Sequence, residues 1–157
     1  MRLYILIIIL SFYCCSSKSH LLNNNTQSLP LLVMERTACY GTCPQYIITI
    51  YNNGTIEYEG KMFVSKIGCF FSFLSKDILS DIKSEFSTSQ FFSFEKEYDS
   101  NITDIPSVIL EVHLGSKNHR VIDRFNGPKK LKNLQNLIDS VGSAVIDWQE
   151  QECQKLD

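Results

Sequence analysis

The sequence predicts an α+β domain: an antiparallel β-sheet, made of a four-strand meander and a later hairpin, with two helices packed on one face. Three observations carry this expectation. Asn52-Asn53-Gly54 lies between two β-rich runs, and Asn-Gly in that setting is the strongest short-range hairpin signal. Val108, Leu110, Val112 and Leu114 alternate with Ile109, Glu111 and His113, the period-two mark of a half-buried strand. Two further segments, one after Ser75 and one after Pro128, repeat apolar residues at helical spacing. An antiparallel sheet with both helices on one side buries every apolar face this order creates.

The elements follow from the N-terminus. Arg2 precedes Leu3 to Leu10, an almost unbroken Leu/Ile run, which is the charge-then-apolar pattern of a secretory signal. The run is too short for the ~20 apolar residues of a membrane-crossing helix. Cys14 and Cys15 close it, and Ser16-Ser17-Lys18-Ser19 follows. This resembles a bacterial lipoprotein signal, in which a diacylglycerol-bearing cysteine becomes the mature N-terminus. Cys15 is the better lipidation site, because small Cys14 precedes it whereas bulky Tyr13 precedes Cys14. Phe12 stands where the usual pattern has an aliphatic residue, so simple cleavage and secretion is the alternative. Residues 16–30 are rich in Ser and Asn and read as a flexible tether that cannot offset its ordering entropy.

The domain is expected over residues 31–148. Leu31 to Met34 form a short apolar strand up to Arg36, Tyr46–Tyr51 and Thr55–Glu59 flank the Asn-Gly turn in its type I′ form, and Met62–Val64 with Cys69–Leu74 extend the meander. Ser75 caps a helix whose Ile78, Leu79, Ile82 and Phe86 share one face. Arg120–Phe125 returns as the hairpin partner of Val108–Leu114. Pro128 opens the second helix, on which Leu131, Leu134, Leu137, Ile138, Val141, Val145 and Trp148 make a stripe while Lys129, Lys130 and Lys132 face solvent. Residues 149–157 read as a polar tail.

Composition narrows the functions. Charge is nearly balanced, 15 Lys+Arg against 17 Asp+Glu, so no single-signed field is available for a nucleic-acid backbone. Ser-His-Asp order, a glycine-rich phosphate loop and a paired-histidine metal motif are all missing, so no catalytic residue, cofactor or metal site is assigned. Arg36, Tyr40 and Tyr46 are the candidate contact residues for a partner. The blander account of Arg36 is an ion pair with Glu35, Glu57 or Glu59. His113 shares the outward face of its strand with Glu111, which reads as a solvated pair.

Four cysteines remain in the domain: Cys39, Cys43, Cys69 and Cys153. In an oxidising compartment pairing is expected, with three connectivities possible. Cys39 and Cys43 would stand ~13 Å apart on an extended strand, whereas a disulfide needs ~4.4–6.8 Å. A bridge between them therefore requires a turn, which Gly41 and Pro44 permit, and adds only ~2 kcal/mol. The competing reading is thiol-redox or Cu(I) chemistry, since Cys-x-x-x-Cys-Pro also occurs in copper-carrying assembly factors. His113 or His119 would then be the third ligand. In those factors a helix follows the motif, whereas here Tyr46–Glu59 reads as a hairpin. Cys69, in a Phe-rich run, reads as a small buried apolar residue, and its bonding to Cys153 stays open.

The string Arg36-Thr37-Ala38-Cys39-Tyr40-Gly41-Thr42-Cys43-Pro44, followed by Tyr46, Asn53-Gly54-Thr55 and Tyr58-Glu59-Gly60, resembles a bacterial family catalogued as domain of unknown function 6438. Thr103-Asp104-Ile105-Pro106, Asn126-Gly127-Pro128, Leu134, Ile138-Asp139 and Trp148 extend the likeness. The resemblance implies an envelope or secreted domain, often behind a lipoprotein signal, and brings no activity, cofactor or catalytic residue. The expected function is therefore that of a lipid-anchored, non-enzymatic binding or structural module facing the periplasm. Its expected partners are the membrane, through its anchor, and an envelope protein or cell-wall component. A hydrolase lacks a recognisable nucleophile–base pair.

Overall fold

In the computed structural model, which describes residues 29–153, Phe63 and Val64 of the expected meander lie in a loop, whereas four apolar runs of the N-terminal half become strands. These are β1 (Pro30–Arg36), β2 (Gln45–Tyr51), β3 (Thr55–Met62) and β4 (Gly68–Phe73). Helix α1 (Lys76–Thr88) follows, then a 3-10 turn at Phe91–Ser93, the short strand β5 (Glu97–Tyr98), the hairpin β6 (Val108–Leu114) and β7 (Lys117–Asp123), helix α2 (Lys129–Ala144) and β8 (Gln149–Gln151). The expected leader, the expected lipidation site Cys15 and residues 16–28 of the expected tether lie outside the described residues.

All eight strands form one sheet in the order β5-β7-β6-β1-β2-β3-β4-β8. The α+β class stands, but the arrangement differs from the expected antiparallel six strands. β5 pairs with β7 in parallel, which makes the sheet mixed, and β8 adds an edge next to β4. The first strand becomes a central one because β6 returns to its free side, with Leu32 opposite Val112 and Arg36 opposite Val108.

Period two sorts the strands into two faces. Leu32 and Met34, Ile48 and Ile50, Ile56, Leu110 and Val112, and Val121 are buried in one cluster with Ile82 and Phe86 of α1 and Leu131, Leu134 and Ile138 of α2. The helices lie side by side over that face, Asp81 and Glu85 of α1 bordering the same groove as Asn133 and Leu137 of α2. Burying each such side chain stabilises the fold by about 1.5–3 kcal/mol. Phe91, fully buried, closes the core edge-on to Phe86.

Local chemistry sets the element ends. Ser75 caps α1 as expected, its hydroxyl accepting from Ile78 N–H at 3.3 Å. The Asn-Gly turn forms, but not as type I′: only Gly54 takes a positive φ, of 92°. Gly54 N–H donates to Tyr51 carbonyl, and the Asn53 side chain accepts from Thr55 N–H at 2.9 Å. This is the three-residue connection in which a type I turn ends on a left-handed residue.

The C-terminal region departs furthest from expectation. Helix α2 ends at Ala144, with Val145 already extended, so Val145 and Trp148 leave the helical stripe. The extended chain then supplies β8, which turns Gln149–Gln151 of the expected tail into a strand. Cys153 is bonded to Cys69, Cα to Cα 5.2 Å, fastening this edge. Lys132 is partly exposed, as expected, but is not free in solvent. Its Nζ stands 2.6 Å from Asp123 Oδ2, which also accepts from Gln135 Nε2, because a buried carboxylate needs compensating charge and donors. A methyl group on Gly127 would overlap that carboxylate, so Asn126-Gly127-Pro128 can cross it only without a side chain there.

Candidate functional site

The end of the sheet where β1 stops and β2 starts gathers the site. Arg36 and Tyr46 are register partners, and even numbering puts both on the helix-covered face. Asp139, one residue past buried Ile138 on α2, descends onto them. Arg36 Nε donates to Tyr46 Oη at 2.9 Å and to Asp139 Oδ1 at 3.3 Å, while Arg36 Nη2 donates to Asp139 Oδ2. Tyr46 Oη in turn donates to Asp139 Oδ1. The bidentate guanidinium–carboxylate fork ties helix to sheet with directional, charge-assisted bonds.

Electrostatics follow from that geometry. Burial works against the Arg36 charge, but hydrogen bonding and attraction from Asp139, with a lesser contribution from Tyr46, raise its pKa above its ordinary value. Burial, and then donation to Asp139, push the Tyr46 phenol far above its usual range. Tyr46 is therefore held as a neutral donor and is not a nucleophile or base at physiological pH.

An aromatic wall extends from Tyr46. Tyr58 of β3 stands 5.7 Å from it, and Trp148 and Phe70 stand 5.8 and 6.4 Å from Tyr58, ring centre to ring centre. These separations are within the range of productive aromatic pairing. The wall floors a cleft of about 610 Å³ between the end of α2 and the loop after β3, with Phe63, Val64, Ser65, Lys66, Ser143 and Ile146 around it. The loop can lie that close because Gly60 is beneath it: a methyl group there would overlap the Lys66 carbonyl.

The cysteine loop occupies the same end of the molecule. Cys39 and Cys43 are bonded, Cα to Cα 5.8 Å, so the segment does turn back on itself. It is held from outside by the 104–107 segment: Tyr40 N–H donates to Asp104 carbonyl, Thr37 N–H to Ser107 carbonyl, and Ser107 N–H to Thr37 Oγ1. Tyr40 projects from this platform, 92% exposed.

Of the expected contact residues, Arg36 and Tyr46 meet, whereas Tyr40 stands apart from them. The expected ion pair of Arg36 with Glu35, Glu57 or Glu59 does not form. Odd numbering sends those carboxylates to the opposite face, where Glu35 and Glu59 flank Lys61 at 3.8 and 4.0 Å. His113 pairs with Glu111 at 3.0 Å, as expected of a surface pair. It stands five residues along β6 from the Arg36 end, ~16 Å, and His119 is opposite Val112 with its Nε2 at the Phe94 carbonyl. Neither histidine therefore joins Cys39 and Cys43 in a copper site, and no group of three ligand side chains gathers among the described residues. Asp139, Tyr58 and Trp148 were not among the expected site residues, although all three belong to the strings that carry the family resemblance.

The geometry defines a class: a small α+β domain whose two-helix layer leaves one end of a mixed sheet open as an aromatic-floored cleft. The chain belongs to the family described as Domain of unknown function (DUF6438), which matches residues 30–142, from β1 into the last turn of α2. No curated protein matches the chain.

Proposed function

We propose that this protein is a non-enzymatic binding or structural module of the bacterial cell envelope, exported by its leader and anchored through an acylated Cys15. The observation that carries the reading is the state of the sulfurs: the domain's four cysteines stand as two disulfides, Cys39–Cys43 and Cys69–Cys153. Paired cysteines belong to oxidising compartments, and the Arg2-Leu3-to-Leu10 leader supplies a route there. Binding in place of catalysis is supported by the Arg36–Tyr46–Asp139 cluster, whose donors and acceptors satisfy one another and whose phenol stays protonated. The contact surface in this reading is the end carrying Tyr40, the cysteine loop and the cleft, facing an envelope protein or cell-wall component.

Intact-mass analysis of the full chain, expressed with its leader and recovered from a membrane fraction, tests this. The expected product begins at Cys15, carries acyl chains, and lacks four hydrogens for its two disulfides. A cleaved, unacylated, released product would replace the anchor with plain secretion. An unprocessed chain with free thiols would overturn export itself.

A further inference from the structure

We propose that the cleft between α2 and the loop after β3 is a saccharide-binding site for a neutral oligosaccharide, an inference that rests on reading the domain as a binding module. Its lining supports a sugar over other ligands. Tyr46, Tyr58 and Trp148, all half-buried, present a continuous aromatic surface. A pyranose ring has one face of C–H groups that stacks on such a surface and a rim of hydroxyls that needs donors and acceptors. Ser65, Lys66 and Ser143 border the same wall and stand outside the mutually bonded Arg36–Tyr46–Asp139 cluster. A volume of about 610 Å³ is within the usual span of small-ligand sites, which combine apolar walls with a few placed polar groups.

Competing ligands fit less well. An acyl chain needs an unbroken apolar lining, and here Ser65, Lys66 and Asp139 interrupt it. An extended peptide recognised by strand addition needs an unpaired sheet edge, but β2, β3 and β4 beneath the cleft are each paired on both sides. An anionic ligand would face the Asp139 carboxylate, with Lys66 the one cation in the lining among the described residues. A neutral polyol meets none of these obstacles.

Trp148 is the chain's single tryptophan, so its fluorescence reports the cleft alone. The disulfide-bonded protein is titrated with N-acetylglucosamine tetramer and, separately, with cellotetraose. The expected result is a saturable change in Trp148 emission with at least one of them. Tyr58→Ala should weaken it roughly tenfold, the loss of one stacked ring. Ile146→Asp separates binding from folding: Ile146 is 95% exposed, so this variant should keep the parent's thermal midpoint while weakening the titration severalfold. No response to either sugar up to its solubility limit, or a titration in both variants that matches the parent's, overturns the proposal. That outcome leaves export and anchoring untouched, since intact mass decides those independently.

Discussion

A phenol that donates to a carboxylate holds its proton, and Tyr46 and Tyr51 both do so, from opposite faces of β2. Burial and donation to Glu57, at 2.9 Å, push Tyr51 up to about 12. The unfolded phenol ionises near pH 10, so between about 10 and 12 the unfolded chain binds fewer protons than the folded one. Stability is then fully present below pH 10 and falls as pH rises through that window. Tyrosinate absorbance should show Tyr51 among the late-ionising phenols, and Tyr51→Phe should remove one late phenol from the titration and reduce the alkaline fall in stability. Loss of an ordinary step near pH 10 on Tyr51→Phe, with the later steps unchanged, would contradict the arrangement. Period two made Arg36 and Tyr46 legible as neighbours on β1 and β2. It could not supply Asp139, because no spacing rule reaches across the 103 residues that separate it from Arg36.

Among the elements, the two disulfides differ in what they hold. Cys39–Cys43 closes a separation of 4 residues and Cys69–Cys153 one of 84. Chain-entropy reasoning gives the short loop ~2 kcal/mol and the long one roughly 4–5 kcal/mol. Urea unfolding of Cys69→Ser/Cys153→Ser should therefore show a much larger loss than Cys39→Ser/Cys43→Ser, which shapes a loop outside the core. Equal midpoints would refute the ranking. The helices were readable because Ser75 and Pro128 mark their starts and Ile82, Phe86, Leu134 and Ile138 recur at helical spacing. β5 and β8 were not, since two or three residues show no period. β8 gains its place from sheet pairing and from a sulfur bond that four cysteines leave undetermined.

On the scale of the whole molecule, strand order decides which parts open first. β1 is flanked by β2 and β6 and buried beneath both helices, whereas β5 and β8 form the edges. Hydrogen exchange should leave the amides of Leu32 and Met34 among the most protected, with β5 and the outer part of β8 exchanging well before them. Equal rates in β1 and β5 would show that the core is not organised around the first strand. Six of the eight strands were legible in the sequence. It did not specify that the first would become central, because that follows from β6 docking on β1 about eighty residues later. The course of β1 also sets a polarity. Pro30 lies at the pole of the 52–54 and 115–116 turns, and Arg36 lies ~20 Å away beside the cleft. A chain that reaches the domain at Pro30 therefore enters at the pole opposite the cysteine loop, so that whatever lies upstream leaves the approach to Tyr40 and the cleft unobstructed.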